Sequence, residues 1–139
     1  MLRFLSAGWM AAFNEAVAPV DLPPPADAAL SVRDGEFALC LVARDESGDT
    51  VSVTLGVRHR RLAMTGGTVP DAAVTVRVGR EDAVSFMAGA WAPTTALAAG
   101  RAQIRGDLPV LRATGDALEA LQPHLAGLKA VTEYPGSGP

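Results

Sequence analysis

The chain has 139 residues, 49% of them apolar and 19% charged, with a formal net charge of −3 and a mean hydropathy of +0.21. That length supports one domain with its own core, and an acidic balance with only two Trp, one Tyr and four Phe argues against a nucleic-acid binder. A single cysteine excludes an internal disulfide, two distant histidines argue against a zinc site, and the longest apolar stretch, Phe37 to Ala43, is far short of the roughly 20 residues that a spanning helix needs.

In chain order, Leu2, Leu5, Trp9, Phe13 and Val17 recur at spacings of three and four, which predicts an amphipathic helix over residues 2–17 that ends before Pro19. Arg3, the apolar run Phe4 to Phe13 and Ala16-Val17-Ala18 also suit a secretory leader. Gly8 and Trp9 within the run, and Pro19 directly after the cut, oppose that reading, so a structural helix is expected. Residues 19–28, with Leu22-Pro23-Pro24-Pro25, read as a stiff extended connector, and residues from about 133 to 139 as a frayed tail.

Asp34-Gly35 is a turn signal. Phe37, Leu39, Leu41 and Ala43 then alternate with a half-polar opposite face, which predicts a central strand. Asp45 to Asp49 closes a hairpin onto a second strand, in which Val51, Val53, Leu55 and Val57 alternate with Ser52, Thr54, Gly56 and Arg58. A short strand near Arg61 to Thr65 stops at Gly66-Gly67, and a fourth, Ala73 to Val78, points Val74, Val76 and Val78 to one side. The period then changes to about 3.6 over Arg80 to Gly89, with Glu81 and Asp82 complementing the dipole of the first turn. Pro93 starts a second short helix through Leu97, Arg101 to Arg105 make a strand centred on Ile104, and Asp107 and Pro109 open a last helix with Gly115 and Pro123 as breaks. Segregated helices and strands predict an α+β fold, a five-stranded, mostly antiparallel sheet with one face covered by helices and the other, bearing Ser52, Thr54, Arg58, Thr75 and Arg77, open to water.

Asp71-Ala72-Ala73-Val74-Thr75-Val76-Arg77-Val78 running into a helix with Phe86, followed by Ala99-Gly100 through Ile104-Arg105-Gly106-Asp107, resembles the C-terminal half of the sterol carrier protein type 2 domain. The Trp9 helix and the Phe37 and Val51 strands fit the same order, so the resemblance spans nearly the whole chain. It implies a lipid tunnel between sheet and helices and the binding or transfer of sterols, fatty acids or acyl-CoA esters, or else a non-catalytic module of a larger enzyme. The tail lacks a peroxisomal signal, which fits a cytoplasmic, bacterial protein.

The residues expected to line such a tunnel are Trp9, Phe13, Phe86 and Met87, with Trp91, Leu97, Leu118 and Leu121; for each alone, close packing against the sheet is the competing assignment. Arg58, His59, Arg60 and Arg61 form a basic cluster that suits either an anionic membrane surface or an ordinary solvated turn. Catalysis finds little support. Ser47 and Ser85 lack a nucleophile elbow, Cys40 lies mid-strand, His59 and His124 have no neighbour specifying an acid–base role, and no phosphate loop exists around Gly66-Gly67 or Gly100. The expected protein is a non-enzymatic binder of a lipid-like small molecule, without cofactor or metal; the alternative is an interaction or homodimerisation module whose tunnel has closed.

Overall fold

The structure, a computed structural model, describes residues 2–22, 36–44 and 48–133. The proline-rich stretch from residue 23, the tip of the hairpin at 45–47 and the tail from residue 134 lie outside the described residues. The elements run β1 (Leu2–Arg3), α1 (Ala7–Val17), β2 (Phe37–Arg44), β3 (Thr50–Arg58), β4 (Arg61–Gly66) and β5 (Val74–Gly79). There follow α2 (Arg80–Met87), α3 (Pro93–Ala98), β6 (Ala102–Gly106), α4 (Leu108–Ala130) and β7 (Thr132–Glu133).

The α+β class holds, with a five-stranded sheet in the order β4-β3-β2-β5-β6. Three pairings are antiparallel, whereas β2 and β5 run parallel, with Leu41 opposite Val76. The alternation works as the sequence predicts: Leu39, Leu41, Val53, Leu55, Val74 and Val76 are fully buried on one face, beneath the helices. On that face α1 lies against β4 and α4, and α4 lies against β2, β5 and α2. Asn14 of α1 meets the backbone of β4 as a strand would, donating to Met64 O (2.8 Å) and accepting from Met64 N (2.7 Å). It thereby covers part of an otherwise unpaired sheet edge.

Three expectations are corrected. The first helix begins at Ala7 with Ser6 as its cap, the Ser6 hydroxyl accepting from Trp9 N, and Leu2–Arg3 instead forms a short strand parallel to Thr132–Glu133. The sheet is mostly antiparallel, as expected; its one parallel pairing, β2 with β5, goes with the crossing made by the connection from β4, since β4 and β5 are separated by β3 and β2. That crossing also closes part of the face expected to be open. Gly67 O accepts from Thr54 Oγ1 (2.9 Å) and Val69 N approaches Cys40 Sγ (3.5 Å), so Thr54 and Cys40 are buried beneath the connection. Finally, α4 continues for 23 residues through both Gly115 and Pro123. Its buried face, from Val110 to Leu128, supplies packing that outweighs two poor helix formers. Beside Pro123, the Gln122 side-chain amide donates to Leu118 O (2.8 Å) and Met87 O (3.1 Å) and ties α4 to the end of α2.

Candidate functional site

Between the sheet and the helices the described residues pack closely. Phe13, Leu118 and Leu121 are fully buried beside the strand residues, and Trp9 stacks on Phe13 (ring centroids 5.5 Å apart) with its edge toward Phe4 (5.1 Å). The Trp9 indole N–H donates to Thr132 Oγ1 (2.9 Å), which satisfies it without a ligand. A void of about 20 Å³ remains among Trp9, Phe13, Met87, Leu125 and Leu128, enough for little more than one water.

A larger space lies at the β6 end of the sheet. There α2, the connection to α3, β6 and the first half of α4 enclose a cleft of about 470 Å³. Its wall is apolar, made by Phe86, Trp91, Leu97, Ile104, Leu108 and Leu111. Leu97 is 45% and Leu108 57% exposed, so two large aliphatic side chains stand open to solvent beside it. Arg112, Asp116 and Glu119, one α4 turn apart from each other or nearly so, form a polar rim.

Local chemistry explains how these walls are placed. Gly89, at a φ of +71°, ends α2 and lies so close to α4 that a Cβ there would sit 2.8 Å from Glu119 Cα. The chain then turns back, and Trp91 packs edge-on against Phe86 (5.7 Å) while its indole N–H donates to Asp82 Oδ1 (3.1 Å). The other Asp82 oxygen accepts from Arg101 Nε (3.3 Å), which fixes the far end of the α3 segment to the same carboxylate. Pro93 occupies the first turn of α3, as expected.

Of the eight expected lining residues, the structure brings Phe86, Trp91 and Leu97 together on the cleft. It places Trp9, Phe13 and Met87 around the small void, and Leu118 and Leu121 in the packed core. Ile104, Leu108, Leu111 and Gly115 complete the cleft without having been singled out. The basic cluster is largely engaged with its own chain: Arg60 Nε donates to Leu22 O (2.6 Å), and Arg61 donates to Ala18 O and pairs with Asp21 (3.2 Å). His59 and Arg60 hold φ of +52° and +64° in the turn between β3 and β4, a conformation that the docked segment 18–22 helps to maintain. Cys40 is buried, and His124 sits on the exposed side of α4. Among the described residues no cluster of three or more His, Cys, Asp or Glu could hold a metal ion, and no helix is long and apolar enough to cross a membrane.

No protein-family model matches the chain, and no curated protein matches it either. Solved structures do. The chain is similar to sterol carrier protein 2 from Yarrowia lipolytica in its apo form, with a TM-score of 0.59 and 15% identity over 86% of this chain and 93% of that one. It is similar to palmitated SCP2L2 from Aedes aegypti (TM-score 0.55, 18% identity, 83% and 96% covered). It is also similar to a conserved hypothetical protein from Thermus thermophilus (TM-score 0.55, 19% identity, 99% and 96% covered). The fold is of the sterol carrier protein type.

Proposed function

We propose that the chain is a non-enzymatic binding protein that holds or transfers a lipid-like ligand in the cleft between α2, α3, β6 and α4. The observation that carries this reading is the cleft itself. About 470 Å³ falls within the range of about 300–1,000 Å³ usual for small-molecule sites, and its wall exposes Leu97 and Leu108 rather than covering them. Each methylene moved from water onto such a wall gains about 0.8 kcal/mol, so an acyl chain of ten or more carbons offsets an association cost of about 4 kcal/mol or more. Recognition of this kind needs few polar contacts, and the rim supplies three. The fold likeness to a sterol carrier protein and to a palmitated protein supports the class of ligand.

Gly115 provides the test. It lines the cleft, and a Cβ built there meets nothing within 4 Å, so a larger side chain has room to enter the ligand's space. Displacement of a fluorescent fatty acid by unlabelled palmitate is expected for the wild type, with a dissociation constant of micromolar order. Gly115→Phe is expected to fold and to weaken that binding about tenfold or more. A wild-type chain that neither binds nor displaces the probe would sink the proposal.

One observation favours a second reading, an interaction module that covers the same apolar cleft with a protein partner or a second copy. Among the described residues, the space between sheet and helices, where a tunnel was expected, is closely packed around Trp9 and Met87, with a void of about 20 Å³. Under that reading the cleft residues mediate association instead, and light scattering would show a dimer that Leu108→Lys dissociates.

A further inference from the structure

We propose that residues 90–100 form a hinged flap over the apolar cleft, latched by the Asp82 carboxylate, and that its opening sets how fast a ligand enters and leaves. The inference rests on the reading of that cleft as the ligand site and adds the element that controls access to it.

The segment is joined to the body mainly at its ends. Among the described residues, the main-chain hydrogen bonds of residues 91–100 stay within 91–101: Ala96 N donates to Ala92 O, Ala99 N to Thr95 O, Gly100 N to Leu97 O and Arg101 N to Ala96 O. Ala96 is the one buried residue of α3, and Leu97 stands 45% exposed. A backbone that bonds only to itself, with a single buried methyl group, marks a segment that separates from the body at low cost.

The ends are built to pivot. Gly89 and Gly100 bracket α3 and both hold a φ of +71°, a conformation that glycine adopts without strain. Gly89 is pressed against α4, whereas a Cβ on Gly100 would meet nothing within 4 Å, so one hinge is anchored and the other is unobstructed. The two ends also meet. Trp91 Nε1 donates to one Asp82 oxygen (3.1 Å) and Arg101 Nε to the other (3.3 Å), which gives the segment the closed neck of an Ω-loop. Between those ends Trp91, Pro93, Thr94 and Leu97 supply one wall of the cleft. Swinging that wall outward opens the cleft and leaves the sheet and α4 intact.

Asp82 suits a latch because it is carried by α2 rather than by the flap, and its side chain is only 13% exposed, which shields its pair with Arg101. Neither Asp82 nor Arg101 lines the cleft, so the latch holds the flap equally whether the cleft is filled or empty. Its loss therefore cancels from the dissociation constant and appears in both rates.

Two readouts test the flap. Relaxation dispersion on the 15N-labelled wild type, with no lipid added, is expected to show microsecond-to-millisecond exchange at the Trp91 indole and at the amides of residues 94–99. The Trp9 indole, bonded to Thr132 in the core, should show none. In stopped-flow measurements with a fluorescent fatty acid, Asp82→Asn is expected to speed association and dissociation alike by about three- to fivefold, with the dissociation constant within about twofold of wild type. Asparagine keeps an acceptor for the Trp91 indole, so this variant isolates the pair with Arg101. Arg101→Gln lies outside α2 and should reproduce the effect, and the double variant should be no faster than either single one. Arg101→Gln at the wild-type rate, or no dispersion across residues 91–100, overturns the proposal. A wild type that fails to bind the fatty acid overturns the lipid reading instead, and dispersion at Trp91 still decides whether the flap opens.

Discussion

Gly115 sits in the middle of α4, where glycine costs about 1 kcal/mol relative to alanine, yet no neighbour forbids a side chain there. Packing gives no reason for it; the adjoining cleft does, since any side chain would reduce its volume. Gly115→Ala is expected to raise stability by about 0.5–1 kcal/mol in urea unfolding while weakening ligand binding, whereas Gly127→Ala, equally unhindered but away from the cleft, should raise stability alone. Gly106 is the opposite case. At a φ of +118° its Cβ would lie 2.3 Å from Ala73 O, because the next residue, Asp107, donates its N–H to that same carbonyl (2.9 Å) and draws the turn against β5. Gly106→Ala combines backbone strain with a main-chain clash and should cost roughly 3 kcal/mol or more, visible as a lower urea midpoint.

At the scale of elements, α4 has two functions on one stripe. Leu118, Leu121 and Leu125 bury into the core, while Leu108, Leu111 and Gly115 continue the same three-and-four spacing into the cleft. Leu121→Ala is expected to cost about 2–5 kcal/mol in stability. Leu108→Ala should change the unfolding free energy in urea by no more than about 0.5 kcal/mol and weaken ligand binding instead, and the reverse pattern would show that the cleft is not where the ligand sits. Much of this was legible in the sequence. Period-two alternation identified β2, β3 and β5 and their buried sides, and Asp107 and Pro109 marked the start of α4. Pairing was not legible: nothing local in Val74–Gly79 says that it joins β2 rather than β4, since that depends on where the crossing at residues 67–73 can go. β1 escaped notice because Leu2 and Leu5 share the helical spacing of Trp9 and Phe13. At the site, Phe86, Trp91 and Leu97 were recognisable as large apolar residues on helical segments. Ile104 and Leu108 look like ordinary core residues until tertiary placement leaves them at an edge. The one sequence signal for the cleft was Gly115 within a leucine stripe, which reads locally as a break in the helix.

For the whole molecule, the two readings of the exposed cleft differ in what stabilises the fold. A ligand that binds only the native state adds RT ln(1 + [L]/Kd), about 2.7 kcal/mol at a hundred times Kd. For a chain of this length that corresponds to a rise in Tm on the order of 10 °C. A carrier should therefore melt higher as palmitate is added, at a Tm that does not depend on protein concentration. A homodimer sealed through Leu97 and Leu108 behaves the other way, because dissociation accompanies unfolding and dilution lowers Tm. Calorimetric scans over a wide range of protein concentration, each with and without palmitate, separate them. Dependence on palmitate alone, abolished in Gly115→Phe, is the outcome expected. Dependence on protein concentration alone would move the apolar cleft from a ligand to a partner. Both together would mean that the lipid and the second copy share one surface, with Leu108 at their common boundary.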